Sequence, residues 1–288
     1  MSPAPERVVV VGAGTMGHGI AQVAAQAGSS VTLVDVRLEL AVAALATIRA
    51  NLDGGVTRGK VTAAERDGAL ARLRTSADLA EAATGAALVV EAVPERLALK
   101  VEVLRAAEAA APPDALLASN TSSLSIGALQ DALERPERVV GMHFFNPVHI
   151  NKLVEVVAGP RSSAAAVERA LEHARAFGKE PIRVRDSPGF ASSRLGVLLG
   201  LEAIRMLEEG VASAADIDRA LELGYRHPMG PLRLTDLVGL DVRLDIARHL
   251  HETLGGERFR PPALLERKVA EGSLGRKSGR GFYDWDQE

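Results

Sequence analysis

Arg7-Val8-Val9-Val10-Val11-Gly12-Ala13-Gly14-Thr15-Met16-Gly17 is the stretch from which the rest of the chain can be read. Its β-branched run lacks polar alternation, which predicts a strand covered on both faces, as in parallel sheets. Thr15 to Gln26 carries helix formers and closes at Gly28, a suitable C-cap. In such a strand–turn–helix unit, Gly12 permits the tight turn, Gly14 lets backbone approach a pyrophosphate, and Gly17 lets the helix pack closely on the strand. The helix start then offers unpaired N–H groups and a positive dipole end to phosphates. A second short strand, Val31 to Asp35, ends in an acid placed to accept hydrogen bonds from ribose hydroxyls and to repel a 2′-phosphate. The expected cofactor is therefore NAD, with Gly12, Gly14, Thr15, Met16, Gly17 and Asp35 as its candidate contacts. Arg37 weighs the other way, because an arginine near this point suits NADP. A ligand-free glycine turn has the same letters; the register of strand, helix and acid is what points to a dinucleotide.

Working outward, helices are expected over Leu38–Leu52 and Thr62–Arg74, the second with a Thr N-cap and Glu65 three residues on. Residues 53–60 are rich in glycine and charge. Strand-like runs recur at Leu88–Val93, Leu116–Ser119, Val139–Phe144, Leu153–Val157 and Pro181–Arg185, with helical stretches at 96–110 and 164–177. After Asp186 the rhythm changes. Ser187-Pro188-Gly189 starts a helix whose Leu195, Leu198, Leu199, Ile204 and Leu207 keep helical spacing up to Gly210. Another begins at Ser213 or Ala214, and Pro231 heads a longer one running towards Leu254. The expected fold is α/β: a Rossmann-like doubly wound sheet in 1–185, followed by an all-helical domain in 186–288.

The 288 residues include no cysteine, which removes disulfides, thiolate nucleophiles and thiolate-bound zinc together. No long uninterrupted apolar run predicts a membrane span, and Met1 to Val10 leave no room for a secretory signal. A net charge of −3 and nine aromatic residues give no footprint for nucleic acid. A cytoplasmic protein is expected, its chemistry drawn from His, carboxylates, hydroxyls, amides or a borrowed cofactor. No His spacing with Asp or Glu indicates a metal site.

His143 lies at the end of a predicted strand in Gly141-Met142-His143-Phe144-Phe145-Asn146-Pro147, where ligands of open α/β sheets bind. Glu155 lies inside the apolar Leu153-Val154-Glu155-Val156-Val157, a costly place for an unpaired carboxylate. A strand–turn–strand hairpin would bring it beside His143. Such a pair suits hydride chemistry on an alcohol: imidazole removes the hydroxyl proton while the carboxylate orients the ring and supports the imidazolium. Taken alone, His143 also fits a hydrogen-bonded structural histidine.

Together these stretches resemble the L-3-hydroxyacyl-CoA dehydrogenase family, especially its stand-alone bacterial 3-hydroxybutyryl-CoA dehydrogenase branch. The resemblance spans essentially the whole chain. Besides the glycine loop, Asp35, the His143 stretch and Glu155, it rests on Val90-Glu91-Ala92-Val93-Pro94-Glu95, Ser119-Asn120-Thr121-Ser122-Ser123-Leu124, Asp186-Ser187-Pro188-Gly189-Phe190 and Gly275-Arg276-Lys277-Ser278-Gly279-Arg280-Gly281-Phe282-Tyr283. It implies that His143 is the catalytic base and Glu155 its partner, with Ser122 between nicotinamide and thioester and Asn146 close by. It adds Glu95, Lys100 and Lys277 as cofactor contacts and places Asn51, Arg58 and Lys60 in a region that meets CoA. It further implies an (S)-3-hydroxyacyl-CoA substrate in fatty-acid or butanoate metabolism, a homodimer, and a site in the cleft between domains.

Read by themselves, several of these residues fit plainer roles: a polar N-capping turn at 119–125, an exposed pair at Glu95 and Lys100, a charged tail at Lys277, and a solvated basic loop at Arg58 and Lys60. One position departs from the family pattern. Ser193 stands before Arg194 where many members carry Asn, and its hydroxyl is shorter than an amide and cannot offer two N–H groups. Ser193 remains a candidate substrate contact. Rival readings are a 3-hydroxyadipyl-CoA dehydrogenase of aromatic degradation, a free hydroxy-acid dehydrogenase of the gulonate or λ-crystallin type, and an NAD-binding sensor or structural protein without turnover. Phe144-Phe145 favours the CoA branch over the gulonate type.

Overall fold

The computed structural model describes residues 6–286; Met1 to Pro5, part of the segment read for a secretory signal, lie outside the described residues. The chain divides into two compact units, Met1–Ser187 and Pro188–Glu288.

The first unit is one eight-stranded sheet with helices. Its strands are β1 (Arg7–Val11), β2 (Ser30–Val34), β3 (Leu73–Ser76), β4 (Leu88–Glu91), β5 (Leu116–Ser119), β6 (Val139–Phe144), β7 (Leu153–Ala158) and β8 (Glu180–Arg185), in the order β3-β2-β1-β4-β5-β6-β7-β8. All neighbours are parallel except β6 and β7, which run antiparallel. Val8 to Val11 of β1 are buried, which is what the unbroken valine run demands. The order turns from descending to ascending at β1, so the crevice beyond the carboxyl ends of β1 and β4 is the topological switch point. Register then lines up Val34, Val11, Glu91, Ser119 and Gly141 across five strands. The segments that follow them emerge at one edge of the sheet.

The helices of this unit are α1 (Thr15–Gln26), α2 (Leu38–Thr57), α3 (Ala63–Ala71), α4 (Leu79–Ala83), α5 (Leu97–Ala110), α6 (Ile126–Gln130) and α7 (Ala164–Ala176). Two differ from the sequence reading. α2 continues five residues beyond Leu52, through Gly54 and Gly55, because buried Leu52 and Gly55 pack inward and a Cβ at Gly55 would already lie 3.0 Å from Val61. Tertiary packing there outweighs the roughly 1 kcal/mol that a mid-helix glycine costs. α3 stops at Ala71, and Leu73-Arg74-Thr75-Ser76 forms the edge strand β3 instead of a last helical turn. The predicted Thr62–Glu65 capping box is present in full.

The second unit is helical: α8 (Ser192–Glu208), α9 (Ala214–Gly224), α10 (Pro231–Val238), α11 (Leu240–Leu254) and α12 (Ala263–Ala270). The single long helix expected after Pro231 is broken at Gly239, which has φ +100° and so ends α10 and begins α11. Val197, Leu201, Ile204, Ile217, Leu232, Leu244, Leu250 and Phe259 form its core. Two buried acids tie down the C-terminal tail. Asp236 accepts the N–H groups of Phe282 and Tyr283 and the Trp285 indole N–H. Asp218 accepts the Tyr283 hydroxyl and the N–H groups of Leu232 and Arg233. Among the described residues no helix is long and apolar enough to cross a membrane, and no cluster of His, Asp or Glu could hold a metal ion.

Candidate active site

The glycine loop joins β1 to α1 where register places it. A Cβ on Gly12 would lie 2.7 Å from the Ala92 carbonyl oxygen, and one on Gly17 would lie 1.7 Å from the Gly12 carbonyl oxygen. Neither position tolerates a side chain. Nothing, by contrast, lies within 4 Å of the Cβ position of Gly14. α1 has no side-chain cap and no acid in its first turn, so among the described residues no capping carboxylate or hydroxyl competes for its leading N–H groups. Asp35 flanks this opening. Its carboxylate accepts the Ala13 N–H at 3.0 Å and the Arg37 N–H at 3.2 Å, which keeps further oxygen lone pairs for a ribose diol. Thr15 is exposed and Met16 half-buried at the helix start. An uncapped helix end, an uncovered glycine and a fixed carboxylate fit a dinucleotide.

Beyond β4 and β5 lies a network that only its outermost residues announce in the sequence. Glu91 is wholly buried and accepts from Lys100 Nζ (2.8 Å), Ser119 Oγ (2.6 Å) and the Val93 N–H (2.7 Å). Lys100, 1% exposed, also donates to the Val93 carbonyl and pairs with Glu95 at 3.2 Å. Its three N–H bonds thus all have acceptors inside the protein, so Lys100 reaches any ligand through Glu95 rather than directly. Glu95 in turn accepts the Thr121 hydroxyl at 2.5 Å and the N–H groups of Ser122 and Ser123, and meets both serine hydroxyls. Burial works against its charged form, but the Thr121 hydroxyl, the Lys100 charge and the Ser122 N–H together outweigh that and hold its carboxyl below the ordinary range. The turn at 121–124 is therefore wrapped around a carboxylate, which fixes exposed Ser122. Asn120, which the sequence reading passed over as a site residue, accepts the Phe144 N–H at 2.9 Å and ties the end of β5 to the end of β6. The plainer reading of this stretch has a counterpart too: Ser125 caps α6.

His143 and Glu155 stand directly opposite each other in the antiparallel β6–β7 ladder. The hairpin expected from the two strands brings His143 Nδ1 to 2.8 Å from Glu155 Oε2, with Glu155 wholly buried and His143 7% exposed. A carboxylate at this distance accepts a hydrogen bond from Nδ1–H, so the basic lone pair is on Nε2. The Phe145 ring packs at 4.4 Å from the imidazole, tilted by 48°. Asn146 follows on the exposed turn, its carbonyl accepting from Asn151 Nδ2 at 2.6 Å.

The proposed CoA region is dispersed. Asn51 donates to Gln22 at 3.3 Å, linking α2 to α1. Arg58 lies back against Gly54, and Lys60 lines a cavity of about 410 Å³ with Gln26, Glu65 and Arg72. In the helical unit Ser193 is half-buried in the first turn of α8. Lys277 pairs with Asp241 at 2.6 Å and, by donating to it, holds that carboxyl below the ordinary range.

The comparisons agree with this architecture. Residues 7–187 match the 3-hydroxyacyl-CoA dehydrogenase NAD binding domain, and residues 189–285 match the 3-hydroxyacyl-CoA dehydrogenase C-terminal domain. The chain belongs to the 3-hydroxyacyl-CoA dehydrogenase family, whose cofactor is NAD. It is 43% identical to the probable 3-hydroxybutyryl-CoA dehydrogenase of Bacillus subtilis, over 98% of each chain. It is 44% identical to the 3-hydroxyadipyl-CoA dehydrogenase of Escherichia coli, over 98% of this chain and 60% of that longer protein. Among solved structures it resembles the (S)-3-hydroxybutyryl-CoA dehydrogenase of Ralstonia eutropha, with a TM-score of 0.94 at 38% identity, over 98% of this chain and 99% of that one.

Proposed function

We propose that the protein interconverts (S)-3-hydroxyacyl-CoA and 3-oxoacyl-CoA with NAD as redox partner, with 3-hydroxybutyryl-CoA as an acyl substrate. The observation that carries this reading is the 2.8 Å pair between His143 and Glu155 at the sheet edge that also bears the glycine loop. Bound NAD supplies the hydride acceptor, and NADH the donor in reverse. In the oxidative direction His143 Nε2 takes the hydroxyl proton as the C3–H bond breaks, and the carbonyl forms. Glu155 holds the ring in the required tautomer and stabilises the imidazolium by its charge. In reduction His143 returns that proton to the 3-oxo oxygen.

Ser122 and Asn146 border the reacting atoms, and Ser193 contacts the acyl group. Gly12, Gly14, Thr15, Met16, Gly17, Asp35, Glu95 and Lys277 contact the cofactor, Lys100 fixing Glu95 from behind. Asn51, Arg58 and Lys60 meet CoA through charge-assisted and amide hydrogen bonds. A homodimer is favoured by the apolar side chains that the helical unit leaves exposed, Leu195 and Leu199 of α8, Leu234 and Leu237 of α10, and Val242 of α11. The absence of cysteine suits a cytoplasmic enzyme.

The test is NADH oxidation with acetoacetyl-CoA. Wild-type protein is expected to turn over, and His143→Ala to lose about 10²- to 10⁴-fold in kcat while still binding NADH. Glu155→Gln should fall between the two. No turnover by wild type with any chain length overturns the enzyme reading; full turnover by His143→Ala overturns only the mechanism.

A further inference from the structure

The connection between β6 and β7 carries a second histidine, His149, for which the chemistry above has no use. This connection lies against α1: a Cβ on Gly19 would be 2.8 Å from Val148, so the two segments touch at a point with no room for a side chain. His149 is half-buried and lines a cavity of about 250 Å³ together with Gln26 of α1 and Lys179, the residue ahead of β8. Lys179 is 8% exposed, and its ammonium donates to the Val148 and Asn151 carbonyls. Among the described residues it pairs with no carboxylate.

The charges that weigh on His149 come from three elements: Lys179 ahead of β8, His18 in α1, and Arg58 at the end of α2. All are basic. Burial first, and then these neighbours, hold the His149 imidazole below its ordinary pKa. Among the described residues neither His18 nor Arg58 pairs with a carboxylate. His18 Nδ1 lies 2.9 Å from the Gly14 carbonyl oxygen, and Arg58 lies back over Gly54. Gln22, one turn after His18 on the same face of α1, accepts from Asn51 at 3.3 Å. That bond fastens α2, which bears the proposed CoA contacts Asn51 and Arg58, beside the helix that bears His18.

We propose that His149 is a proton-dependent phosphate contact of the acyl-CoA site, binding a CoA phosphate together with Arg58 and His18 when its ring is protonated and losing that contact when the ring is neutral. The inference rests on the acyl-CoA reading above and adds to it a dependence of thioester binding on pH. A phosphate set among these groups reverses the field at His149. Repulsion that disfavours the imidazolium gives way to attraction, and the ring takes up a proton as the anion arrives. By linkage, the proton strengthens phosphate binding by the same factor as the phosphate strengthens proton binding. Lys179 keeps its two carbonyl bonds and contributes charge alone. Because the complex holds the extra proton, affinity rises as pH falls through the pKa of the bound state and levels off below that of the free state.

The experiment measures kcat/KM for acetoacetyl-CoA and for acetoacetyl-N-acetylcysteamine, the same thioester without phosphates, by NADH oxidation between about pH 8 and about pH 6. Their ratio within one protein cancels the titration of His143 and any loss of folded material. Relative to His149→Gln, wild type is expected to gain about 3- to 10-fold in this ratio from the alkaline to the acid end, part of the full worth of a charge-assisted hydrogen bond. His149→Lys, charged throughout, should keep the gain at every pH. The same pH dependence in wild type and His149→Gln overturns the proposal. So does a His149-dependent gain in the KM for NADH instead of the thioester ratio, which would assign the phosphate to the cofactor. Calorimetry of CoA binding in two buffers of different ionisation heat reads the same proton without turnover. Greater proton uptake in wild type than in His149→Gln is expected near neutral pH, and equal uptake overturns the contact. Absence of turnover with acetoacetyl-CoA, with that difference in uptake present, overturns the dehydrogenase reading and leaves the phosphate contact standing.

Discussion

Lys100 in the cofactor-binding unit and Arg243 in the helical unit are cations buried to nearly the same degree, 1% and 4% exposed, and their surroundings could hardly differ more. Lys100 has an acceptor for every N–H bond, and those acceptors, Glu91, Glu95 and the Val93 carbonyl, are themselves bonded to Ser119, Thr121 and the turn at 121–124. Burial of Arg243 alone pushes its pKa down to about 10, with no neighbouring charge opposing the shift. The first cation is part of how the sheet edge is built. The second has a buried Nε with no acceptor among the described residues. A saturated buried charge and an unsaturated one make opposite statements about stability, and that contrast can be tested directly.

Lys100→Met should give the largest change in stability. It strands Glu91 in the core without its counter-charge, and loss of one partner of a buried pair costs about 3–5 kcal/mol; urea unfolding would show it as a lower midpoint at unchanged slope. The same variant should weaken NADH binding, because Glu95 loses the charge that fixes it. Arg243→Met should move the other way, raising stability by about 1–3 kcal/mol as a buried group without acceptors is replaced by an apolar one. A drop comparable to that of Lys100→Met would show that Arg243 is satisfied in solution and would break the comparison.

The smallest effect concerns a buried titratable group that the fold keeps neutral near pH 7. His173 is 7% exposed, and burial lowers its pKa below 6.5 even though Glu6 lies 3.2 Å away and opposes the shift. The unfolded chain therefore takes up this proton before the folded one does, so stability is full above about pH 6.5 and declines as pH falls through it. Melting temperatures of wild type and His173→Gln between pH 7.5 and about 5 should converge towards the acid end; parallel curves would remove His173 from the account.

How far the sequence discloses this molecule depends on how local the physics is. The valine run, the glycine loop and Asp35 are legible because strand, turn and helix start are set within a few residues. The facing of His143 and Glu155 is legible because a carboxylate in an apolar strand demands a partner and a hairpin returns one. Glu91, in an equally apolar strand, carries the same signal, but its partner comes from the next helix and Lys100 gives no sign of burial. β3 escapes because Leu-Arg-Thr-Ser has no strand pattern of its own and is recruited by the edge of β2. The break at Gly239 needs a φ that only the folded chain reveals. Arg243 is the extreme case: what makes it unusual is two glycines on another helix, more than forty residues earlier in the sequence.

The ladder between β6 and β7 has an evolutionary consequence. His143 and Glu155 meet because backbone hydrogen bonds hold the two strands in register, and the connecting residues 145–152 do not set that meeting. A one-residue slip of either strand would send one of the two side chains to the opposite face. Insertions and exchanges in the connection leave it intact. The His143–Glu155 pairing is thus set by the ladder, while the segment beside it is held separately, by Lys179 Nζ donating to the Val148 and Asn151 carbonyls and by the burial of Val148.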